Sequence, residues 1–318
     1  MTYLLVGNYG VGNLGDEALR EYFLQRFPDV QWRVVSAHPQ GEELPRFPCG
    51  LRSFFSCRWI RTFRALRRSN GMVLGGGSLF TDVESVWACV LWWVHVCAAR
   101  LLRKRVILAF QGIGPFRTTW GERFARSAVR VAYAVSVRDA ASYQRIQTWK
   151  RQGTLLQSFD PVLALVPDPT PDLASGHVLI AVPRENSGEV FLGRLRALLQ
   201  GDRFTHVRIL SLKPHSPQEK EYCALLQSAV SLPCTLQHVH TLQDLISGIA
   251  GGELVLTERF HGGVVALALG KELEVVPQKE GDKLDALAAL LHSMPVQRRK
   301  ERLRALVQEG EDALRAAL

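Results

Sequence analysis

The chain contains 318 residues, of which 47% are apolar and 22% charged, so it is a globular protein too long for one ordinary hydrophobic core. Its net charge of +9 is uneven, because residues 1–165 carry 22 Lys/Arg against 11 Asp/Glu (+11) and residues 166–318 carry 17 against 19 (−2). Six scattered cysteines form no Cys-x-x-Cys pair, which argues against a zinc or disulfide framework and for a reducing compartment such as the cytoplasm.

Strand-like apolar runs alternate with segments of helical periodicity along the chain. In the first half, strands are predicted at 3–7, 32–36, 71–74, 106–111, 134–137 and 155–157, and helices around 16–26, 54–68, 86–100 and 120–132. In the second half, strands are predicted at 178–182, 206–210, 235–239, 254–256 and 273–276, with helices at 190–199, 219–230, 242–250, 263–269 and 284–291.

This alternation predicts an α/β protein of two doubly wound Rossmann-like domains with parallel sheets that face a central cleft. We place the N-terminal domain at 1–167 and the C-terminal domain at 177–295, joined by a proline-rich linker at 168–176. Residues 296–318 predict a long amphipathic helix that packs back on the N-terminal domain.

Neither the start of the chain nor its apolar stretches predict export or membrane insertion. Met1 leads directly into a strand and a glycine loop, without the basic region of a signal peptide. The longest apolar stretch, residues 86–99, has 14 residues and contains His95, so it is too short to span a bilayer. We therefore expect a cytoplasmic protein.

The first glycine loop, Gly10-x-Gly12-x-x-Gly15, lies between the first strand and a helix. Its glycines permit a tight turn and a close approach of the backbone to a ligand, so we predict that Gly12 and Asn13 bind substrate. A nicotinamide dinucleotide is a weaker interpretation, because the second strand ends in Ser36-Ala37-His38 and offers no acidic side chain to a ribose.

Basic residues concentrate in residues 52–68 and 100–105, in each case next to aromatic side chains. The first cluster places five arginines at helical spacing, with aromatic residues on another face: Arg58, Arg61, Arg64, Arg67 and Arg68. Such surfaces can dock on an anionic membrane or a diphosphate carrier; the alternative is a solvated helix face beside a core helix. Nucleic acid is not expected, because no recognition motif accompanies the charge.

Two more loops at strand ends predict substrate contacts. Three consecutive glycines are costly unless the backbone must approach a ligand, so Gly76, Gly77 and Ser78 are predicted to bind substrate. Gln111 begins a similar loop after the fourth strand. Arg138 ends the fifth strand, where it either reaches the same cleft or forms a structural pair with Asp139, and residues 159–162 predict a turn.

The most informative motif is Thr257-Glu258-Arg259-Phe260-His261-Gly262-Gly263, between a strand and a helix. A helix amino terminus attracts anions, Arg259 adds a five-donor fork, and His261 can exchange a proton near neutral pH. The pattern predicts a site for a phosphorylated or carboxylated substrate that undergoes proton transfer. The alternative is that Arg259 forms a salt bridge and His261 is an interdomain side chain with satisfied hydrogen bonds.

Taken in order, these motifs resemble the polysaccharide pyruvyltransferase family, and the bacterial cell-wall ketal pyruvyltransferases of the CsaB type most of all, over residues 3 to about 285. The segments that carry the resemblance are Gly-Asn-Leu-Gly-Asp-Glu (12–17), Gly-Gly-Gly-Ser-Leu (75–79), Gln-Gly-Ile-Gly-Pro (111–115), Val-Arg-Asp (137–139), Asp-Pro (160–161) and Arg-Phe-His (259–261). Members usually have Met and Leu where this chain has Glu258 and Phe260.

The resemblance implies a GT-B fold and the transfer of the enolpyruvyl carbons of phosphoenolpyruvate onto two hydroxyls of a sugar, which yields a cyclic ketal and phosphate. The implied acceptor is an N-acetylmannosamine residue on a lipid-diphosphate-linked precursor of a secondary cell-wall polysaccharide, and the product helps to anchor surface-layer proteins. Phosphoenolpyruvate is a co-substrate, so no cofactor is expected.

The residues suit that chemistry. Arg138 and Arg259 are predicted to bind the carboxylate and phosphate of phosphoenolpyruvate, and His261 to protonate its methylene carbon. Lys279 either pairs with the phosphate or is a surface lysine. No metal site is expected, because carbon protonation does not demand one and no ligand cluster is visible.

A base for the sugar hydroxyl is also needed, and three carboxylates on first-domain loops are candidates. Asp16 is our first choice, with Glu17 and Asp82 as further substrate-binding candidates. Asp16 and Glu17 open a helix, so they can instead complement its dipole.

The predicted partners are phosphoenolpyruvate, a lipid-diphosphate-linked amino sugar and an anionic membrane surface at the inner face of the cell membrane. A homodimer is expected only on general frequency. The main alternative is a glycosyltransferase of the same fold that uses a nucleotide sugar; a non-catalytic module for carbohydrate or a lipid carrier is a further one.

Overall fold

The computed structural model describes residues 1–168, 176–278, 283–293 and 295–318. These residues form two compact units. Unit 1 is Met1–Pro161 together with Leu303–Leu318, and unit 2 is Val162–Arg302. Unit 2 thus begins before the predicted boundary at residue 167, and most of the predicted linker, residues 169–175, lies outside the described residues.

Unit 1 is built on a seven-stranded parallel sheet with the order β3-β2-β1-β4-β5-β6-β7. The strands are β1 (Thr2–Val6), β2 (Gln31–Ser36), β3 (Leu44–Pro45), β4 (Gly71–Phe80), β5 (Arg105–Ile113), β6 (Ala134–Val137) and β7 (Thr154–Gln157). The helices are α1 (Leu14–Arg26), α2 (Leu51–Phe55), α3 (Ile60–Arg68), α4 (Val86–Leu101), α5 (Thr119–Val131) and α6 (Ala140–Thr148). Strand order reverses between β1 and β4, and ligands bind at such a switch point, beyond the carboxyl ends of the strands.

Helices α3, α4, α5 and α6 pack on one face of this sheet. Their buried side chains, such as Leu66, Trp92, Val129 and Ile146, form one hydrophobic cluster with alternate residues of β1, β4, β5 and β6. Alternate residues of a strand point to the same face, so these helices lie on one side of the sheet and their outer sides face away from it.

Unit 2 is built on a five-stranded parallel sheet with the order β10-β9-β8-β11-β12. A 3-10 turn (Pro161–Leu165) precedes the strands β8 (Val178–Val182), β9 (His206–Ser211), β10 (Cys234–His238), β11 (Leu254–Thr257) and β12 (Glu272–Val275). The helices are α7 (Glu189–Leu198), α8 (Pro217–Ala229), α9 (Leu242–Ala250), α10 (Phe260–Ala268) and α11 (Lys283–Ser293). The switch point of this sheet lies between β8 and β11.

The last helix, α12 (Val296–Ala317), belongs to unit 1 from Leu303 onward. The buried carboxylate of Glu311 accepts hydrogen bonds from Tyr22 Oη (3.0 Å) and from Arg26 Nε (3.0 Å) and Nη2 (2.9 Å) of α1. Tyr3 Oη donates to the carbonyl oxygen of Leu318 at 2.5 Å. The end of the chain is therefore part of the core of unit 1.

The predicted fold class, α/β with two Rossmann-like sheets, is confirmed. The single helix predicted at 54–68 is wrong, because α2 ends at Phe55 and α3 begins at Ile60, with Cys57 at φ 55° between them. The indole of Trp59 donates to the carbonyl oxygen of Phe54 at 3.0 Å, and Ser56 Oγ donates to that of Ser53 at 2.7 Å. Such local bonds compete with a continuous helix. No helix of the described residues combines the length and apolar composition needed to cross a membrane.

Candidate functional site

The β1–α1 loop folds around the buried ring of Tyr9 at the switch point of unit 1. Tyr9 Oη donates to the carbonyl oxygen of Gly75 at 2.8 Å, which ties this loop to the middle of β4. Gly10 adopts φ 75°, and a Cβ there would lie 2.1 Å from Ser36 Oγ, so glycine is required. Gly12 adopts φ 74° in open space. The predicted tight turn of this loop is present.

Asp16 lies in the first turn of α1, which Asn13 caps by accepting from the amide of Gly15 (3.0 Å). Asn8 Nδ2 donates to Asp16 Oδ2 at 3.0 Å, and Arg46 Nη2 donates to Asn8 Oδ1 at 3.1 Å. Arg46 also donates to the carbonyl oxygens of residues 7 and 9, and burial lowers its pKa. Arg46 thus holds Asn8 beside Asp16, a contact that sequence reasoning missed, since nothing in the motif points to a side chain so far along the chain.

Glu17 is half-buried and bonds to the backbone of the β1–α1 loop. Its Oε1 accepts from the amide of Gly10 at 2.7 Å, and its Oε2 lies 3.5 Å from Arg20 Nη1. An open cavity of about 720 Å³ adjoins this loop; its lining includes Gly12, Glu17 and Trp32. Two predicted substrate-binding residues therefore border the same cavity of unit 1.

Strand β4 continues through the predicted glycine loop, and its middle pairs Gly77 with Gln111 of β5, next to Gly76. The two glycines adopt φ 73° and 78°, and a Cβ on Gly77 would lie 3.2 Å from Asp16 Oδ1. Gln111 is fully buried, and its Nε2 donates to the carbonyl oxygens of Leu74 (2.9 Å) and Gly76 (3.1 Å). Gln111 thereby holds the backbone of the glycine loop, and the Asp16 carboxylate lies beside it.

Arg138 forms a buried ion pair with Asp160. Arg138 Nη1 lies 2.6 Å from Asp160 Oδ2, and Nη2 donates to Ser78 Oγ at 2.8 Å. Asp139, the partner considered from the sequence, instead caps α6 by accepting from the amide of Ser142 at 2.7 Å. The Asp160 segment, expected only as a turn, supplies the counter-charge of Arg138, which sequence spacing did not reveal.

Asp82 caps α5. Its carboxylate is buried and accepts from the amide of Thr118 at 2.8 Å, from the Thr118 hydroxyl and from the amide of Arg117. Burial raises its pKa, but these hydrogen bonds outweigh burial and hold the pKa below its usual value. The structure therefore gives Asp82 a clear structural role at the start of α5.

In unit 2, Arg259 occupies the N-cap position of α10, directly after β11. Arg259 Nε donates to the carbonyl oxygen of Pro183 at 3.1 Å, and Nη2 pairs with Glu219 Oε2. Glu219 is fully buried and also accepts from Ser211 Oγ (2.9 Å) and the amide of Lys213 (2.7 Å). Burial lowers the pKa of Arg259, an effect that the Glu219 charge opposes. The salt bridge considered from the sequence is present, and Glu219 is a partner that sequence reasoning missed.

Glu258 lies buried beside Arg259. Its Oε2 accepts from Ser187 Oγ and from the amide of Arg184 (3.3 Å). Burial raises the pKa of Glu258 to about 7, although hydrogen bonds from the Arg184 amide and the Gln278 side chain and the charges of nearby arginines oppose the rise. Sequence reasoning noted this residue only as a departure from the family pattern.

His261 follows in the first turn of α10, and no side chain among the described residues caps this helix end. The His261 ring lies edge-on to Phe260, with centroids 5.4 Å apart, and its Nε2 is buried. Lys213 Nζ lies 2.8 Å from Glu185 Oε2 nearby. Two ion pairs, Lys213–Glu185 and Arg259–Glu219, thus lie near the carboxyl ends of β8, β9 and β11, at the switch point of unit 2.

The predicted site residues therefore form two groups. Unit 1 gathers Gly12, Asn13, Asp16, Glu17, Gly76, Gly77, Ser78, Gln111 and Arg138, with Asp82 at the α5 cap, whereas Arg259 and His261 belong to unit 2. Lys279 lies outside the described residues. Within the described part of the chain, no group of three or more His, Cys, Asp or Glu side chains is arranged to hold a metal ion.

The chain matches the family model described as "Polysaccharide pyruvyl transferase" over residues 13–273. No curated protein matches it at a significant level.

Among solved structures, the chain resembles Anabaena Alr3699/HepE in complex with UDP-glucose, with 12% identity, a TM-score of 0.58, and coverage of 100% of this chain and 94% of that chain. A putative UDP-N-acetylglucosamine 2-epimerase from Listeria monocytogenes has 13% identity and a TM-score of 0.61, with 99% and 90% coverage. The S. aureus MnaA–UDP structure has 10% identity and a TM-score of 0.61, with 96% and 88% coverage. These likenesses concern the fold, and they confirm the GT-B-like class.

Proposed function

Because the chain belongs to the polysaccharide pyruvyl transferase family, we propose that it transfers pyruvate from phosphoenolpyruvate to an amino sugar of a lipid-linked cell-wall polysaccharide precursor. The reaction forms a cyclic ketal on two sugar hydroxyls and releases phosphate. N-acetylmannosamine is the proposed sugar, and surface-layer anchoring the proposed use of the product; both rest on the resemblance of the motifs to the CsaB type.

The observation that carries this proposal is the start of α10. Phosphoenolpyruvate bears a carboxylate and a phosphate, and the end of β11 presents a helix amino terminus, the Arg259 fork and His261 within three residues. Two nitrogens of Arg259 are engaged by Pro183 and Glu219, which fixes the plane of the guanidinium. A guanidinium held in this way is preorganised for an anion.

His261 is the proposed acid. When it protonates the methylene carbon of phosphoenolpyruvate, the neighbouring carbon becomes electrophilic and the first sugar hydroxyl adds to it. The second hydroxyl then displaces phosphate, and the ketal closes. Of the two protons that the hydroxyls lose, one replaces the proton that His261 gave to the carbon and the other leaves with phosphate. A base is needed to accept a proton while the hydroxyl adds.

Asp16 is the proposed base for the sugar hydroxyl. The Arg46–Asn8–Asp16 chain of hydrogen bonds holds its carboxylate beside the backbone of Gly77. Of the three carboxylates considered, Asp82 is buried and bonded to the amides of Arg117 and Thr118. Glu17 and Asp16 also accept hydrogen bonds, from the amide of Gly10 and from Asn8. We keep Asp16 as the proposed base because its carboxylate lies beside the glycines of β4.

The test is phosphate release from phosphoenolpyruvate by the purified protein with an N-acetylmannosaminyl-N-acetylglucosamine diphospholipid analogue. We expect acceptor-dependent release and a product heavier by one pyruvyl ketal. His261→Asn and Arg259→Lys should each lower the rate by about a hundredfold or more. The exposed His177 and Arg196 provide the matched controls His177→Asn and Arg196→Lys, which should keep the rate of the unsubstituted protein.

A nucleotide-sugar glycosyltransferase is the second candidate, favoured by the fold likeness to HepE in complex with UDP-glucose. It predicts tight binding of a UDP-sugar and competition by UDP, whereas pyruvyl transfer predicts neither. Absence of phosphate release together with tight UDP-sugar binding would replace the proposal by this alternative.

A further inference from the structure

The outer surface of helices α2, α3, α4 and α5 in unit 1, here called the α2–α5 face, is strongly basic. Residues 44–81 contain seven arginines and no aspartate or glutamate. The arginines of α2, α3 and the loop between them are all exposed: Arg52, Arg58, Arg61, Arg64, Arg67 and Arg68. On α5, Arg123, Arg126 and Arg130 line a surface groove.

The same face carries large apolar side chains in the open. On α2, Leu51 is 78% exposed, Phe54 51% and Phe55 74%, and Trp87 at the start of α4 is 64% exposed. Residues 50–58 are exposed without interruption, so α2 stands out from the surface. Cys49 Sγ lies 3.8 Å from the carbonyl oxygen of Trp87, which places the start of α2 beside α4.

The exposure of these side chains follows from how the helices pack. Helices α3, α4 and α5 direct Leu66, Trp92 and Val129 into one core against the sheet. The break at Cys57 frees α2 from that layer, and Phe54 stacks on Trp59 with ring centroids 5.7 Å apart. One face of the Phe54 ring thus packs on Trp59 while the side chain stays 51% exposed, and Leu51 and Phe55 point away from the fold's core.

Negative charge on this face is sparse. Between residues 44 and 131, Asp82 is buried at the α5 cap, and Glu122 accepts from the indole of Trp149 at 2.9 Å. Glu84 is the exposed acidic residue of that range, all of which is described. An arginine-rich face with exposed Leu, Phe and Trp matches what an amphipathic surface presents to anionic headgroups and the acyl region below them.

We propose that the α2–α5 face is a docking surface for an anionic phospholipid bilayer, in which Leu51, Phe54 and Phe55 enter the acyl boundary and the arginines of α3 and α5 contact headgroups. Single-stranded nucleic acid is the less favoured occupant: the rings of Phe54 and Phe55 suit bases as well as lipid, but Leu51, the most exposed of the three, has no ring on which a base can stack and suits the acyl region. The docking does not depend on the transfer reaction.

The test is co-sedimentation of the full chain with vesicles of phosphatidylcholine alone or with phosphatidylglycerol added. We expect binding to the anionic vesicles that weakens as salt rises. Leu51→Ser/Phe54→Ser/Phe55→Ser and, separately, Arg61→Glu/Arg64→Glu should each lower the partition coefficient by about tenfold or more. These side chains are exposed or half-exposed, so the variants are expected to fold.

Matched controls come from exposed positions of unit 2. Val190→Ser/Leu225→Ser and Arg196→Glu make the same kinds of change elsewhere and should leave vesicle binding unaltered. Equal loss in the controls, equal binding to zwitterionic vesicles, or no vesicle binding at all would each overturn the proposal. Binding of a single-stranded oligonucleotide, lost in Arg61→Glu/Arg64→Glu without any vesicle binding, would assign the face to nucleic acid.

Discussion

Replacing Glu258 by glutamine should make unit 2 more stable at alkaline pH and change little at acid pH. Glu258 is 3% exposed and has its pKa raised from 4.5 to about 7, chiefly by burial. Below pH 4.5 the carboxyl is protonated in both folded and unfolded chains. Between pH 4.5 and 7 the folded chain keeps a proton that the unfolded chain has lost, so the free energy of unfolding falls as pH rises.

The size of the effect follows from the shifted pKa. A rise from 4.5 to about 7 corresponds to about 3 kcal/mol, at about 1.4 kcal/mol per pKa unit, and this is an upper figure. Glutamine has the same shape and stays neutral, so it avoids the cost of burying a charge. The difference in unfolding free energy between Glu258→Gln and the unsubstituted protein should therefore grow by as much as about 3 kcal/mol from pH 5 to pH 8.

Urea unfolding followed by far-UV circular dichroism at pH 5 and pH 8 measures this difference. All seven tryptophans lie in unit 1, so tryptophan fluorescence separates the unfolding of unit 1 from that of unit 2. The control is Glu185→Gln. Burial raises the pKa of Glu185, but Lys213 outweighs burial and holds the pKa below its usual value, so this variant should lose stability at pH 8. An identical pH dependence in Glu258→Gln and the unsubstituted protein would refute the reasoning.

Two further predictions concern unit 1. Asp160→Asn removes the carboxylate charge that faces the buried Arg138 and should lower the unfolding free energy of unit 1 by about 3 kcal/mol. Tryptophan fluorescence in urea measures this loss. A loss no larger than that of the exposed control Glu84→Gln would contradict a stabilising buried pair. Arg46→Met removes the support of Asn8 and Asp16 and should lower kcat about tenfold with little change in the KM for phosphoenolpyruvate, measured as acceptor-dependent phosphate release. A raised KM with an unchanged kcat would instead place Arg46 in donor binding.

Local chemistry explains why the order of elements could be predicted. The alternation of apolar runs and helical segments needs only neighbouring residues, and it yielded both sheets and their parallel direction. The starts of helices also depend only on near neighbours in the chain. Asn13, Asp139 and Thr241 each cap a helix by accepting from an amide within three residues. The helix expected at 54–68 shows the limit of periodicity, because side-chain bonds to backbone carbonyls at Phe54 and Ser53 interrupt it.

The candidate site was only partly predictable. The glycine loops and the Arg259–His261 pair were visible because they depend on residues that are adjacent in the chain. The partners of those residues were not visible: Asp160 lies 22 positions from Arg138, and Glu219 lies 40 positions from Arg259. Many carboxylates satisfy such spacings, so composition cannot select among them.

The sequence by itself determined that this is a two-sheet α/β protein of the polysaccharide pyruvyl transferase family, with an arginine and a histidine at the start of α10. Tertiary structure alone decided which charged side chains form ion pairs and which carboxylates accept hydrogen bonds from the backbone. It joined Arg46 to Asn8 and Glu258 to Ser187, and it left α2 standing free of the helical layer. The physical reason is that hydrogen bonding and capping act between near neighbours in the chain, whereas burial and charge pairing depend on groups that only the packed fold brings together.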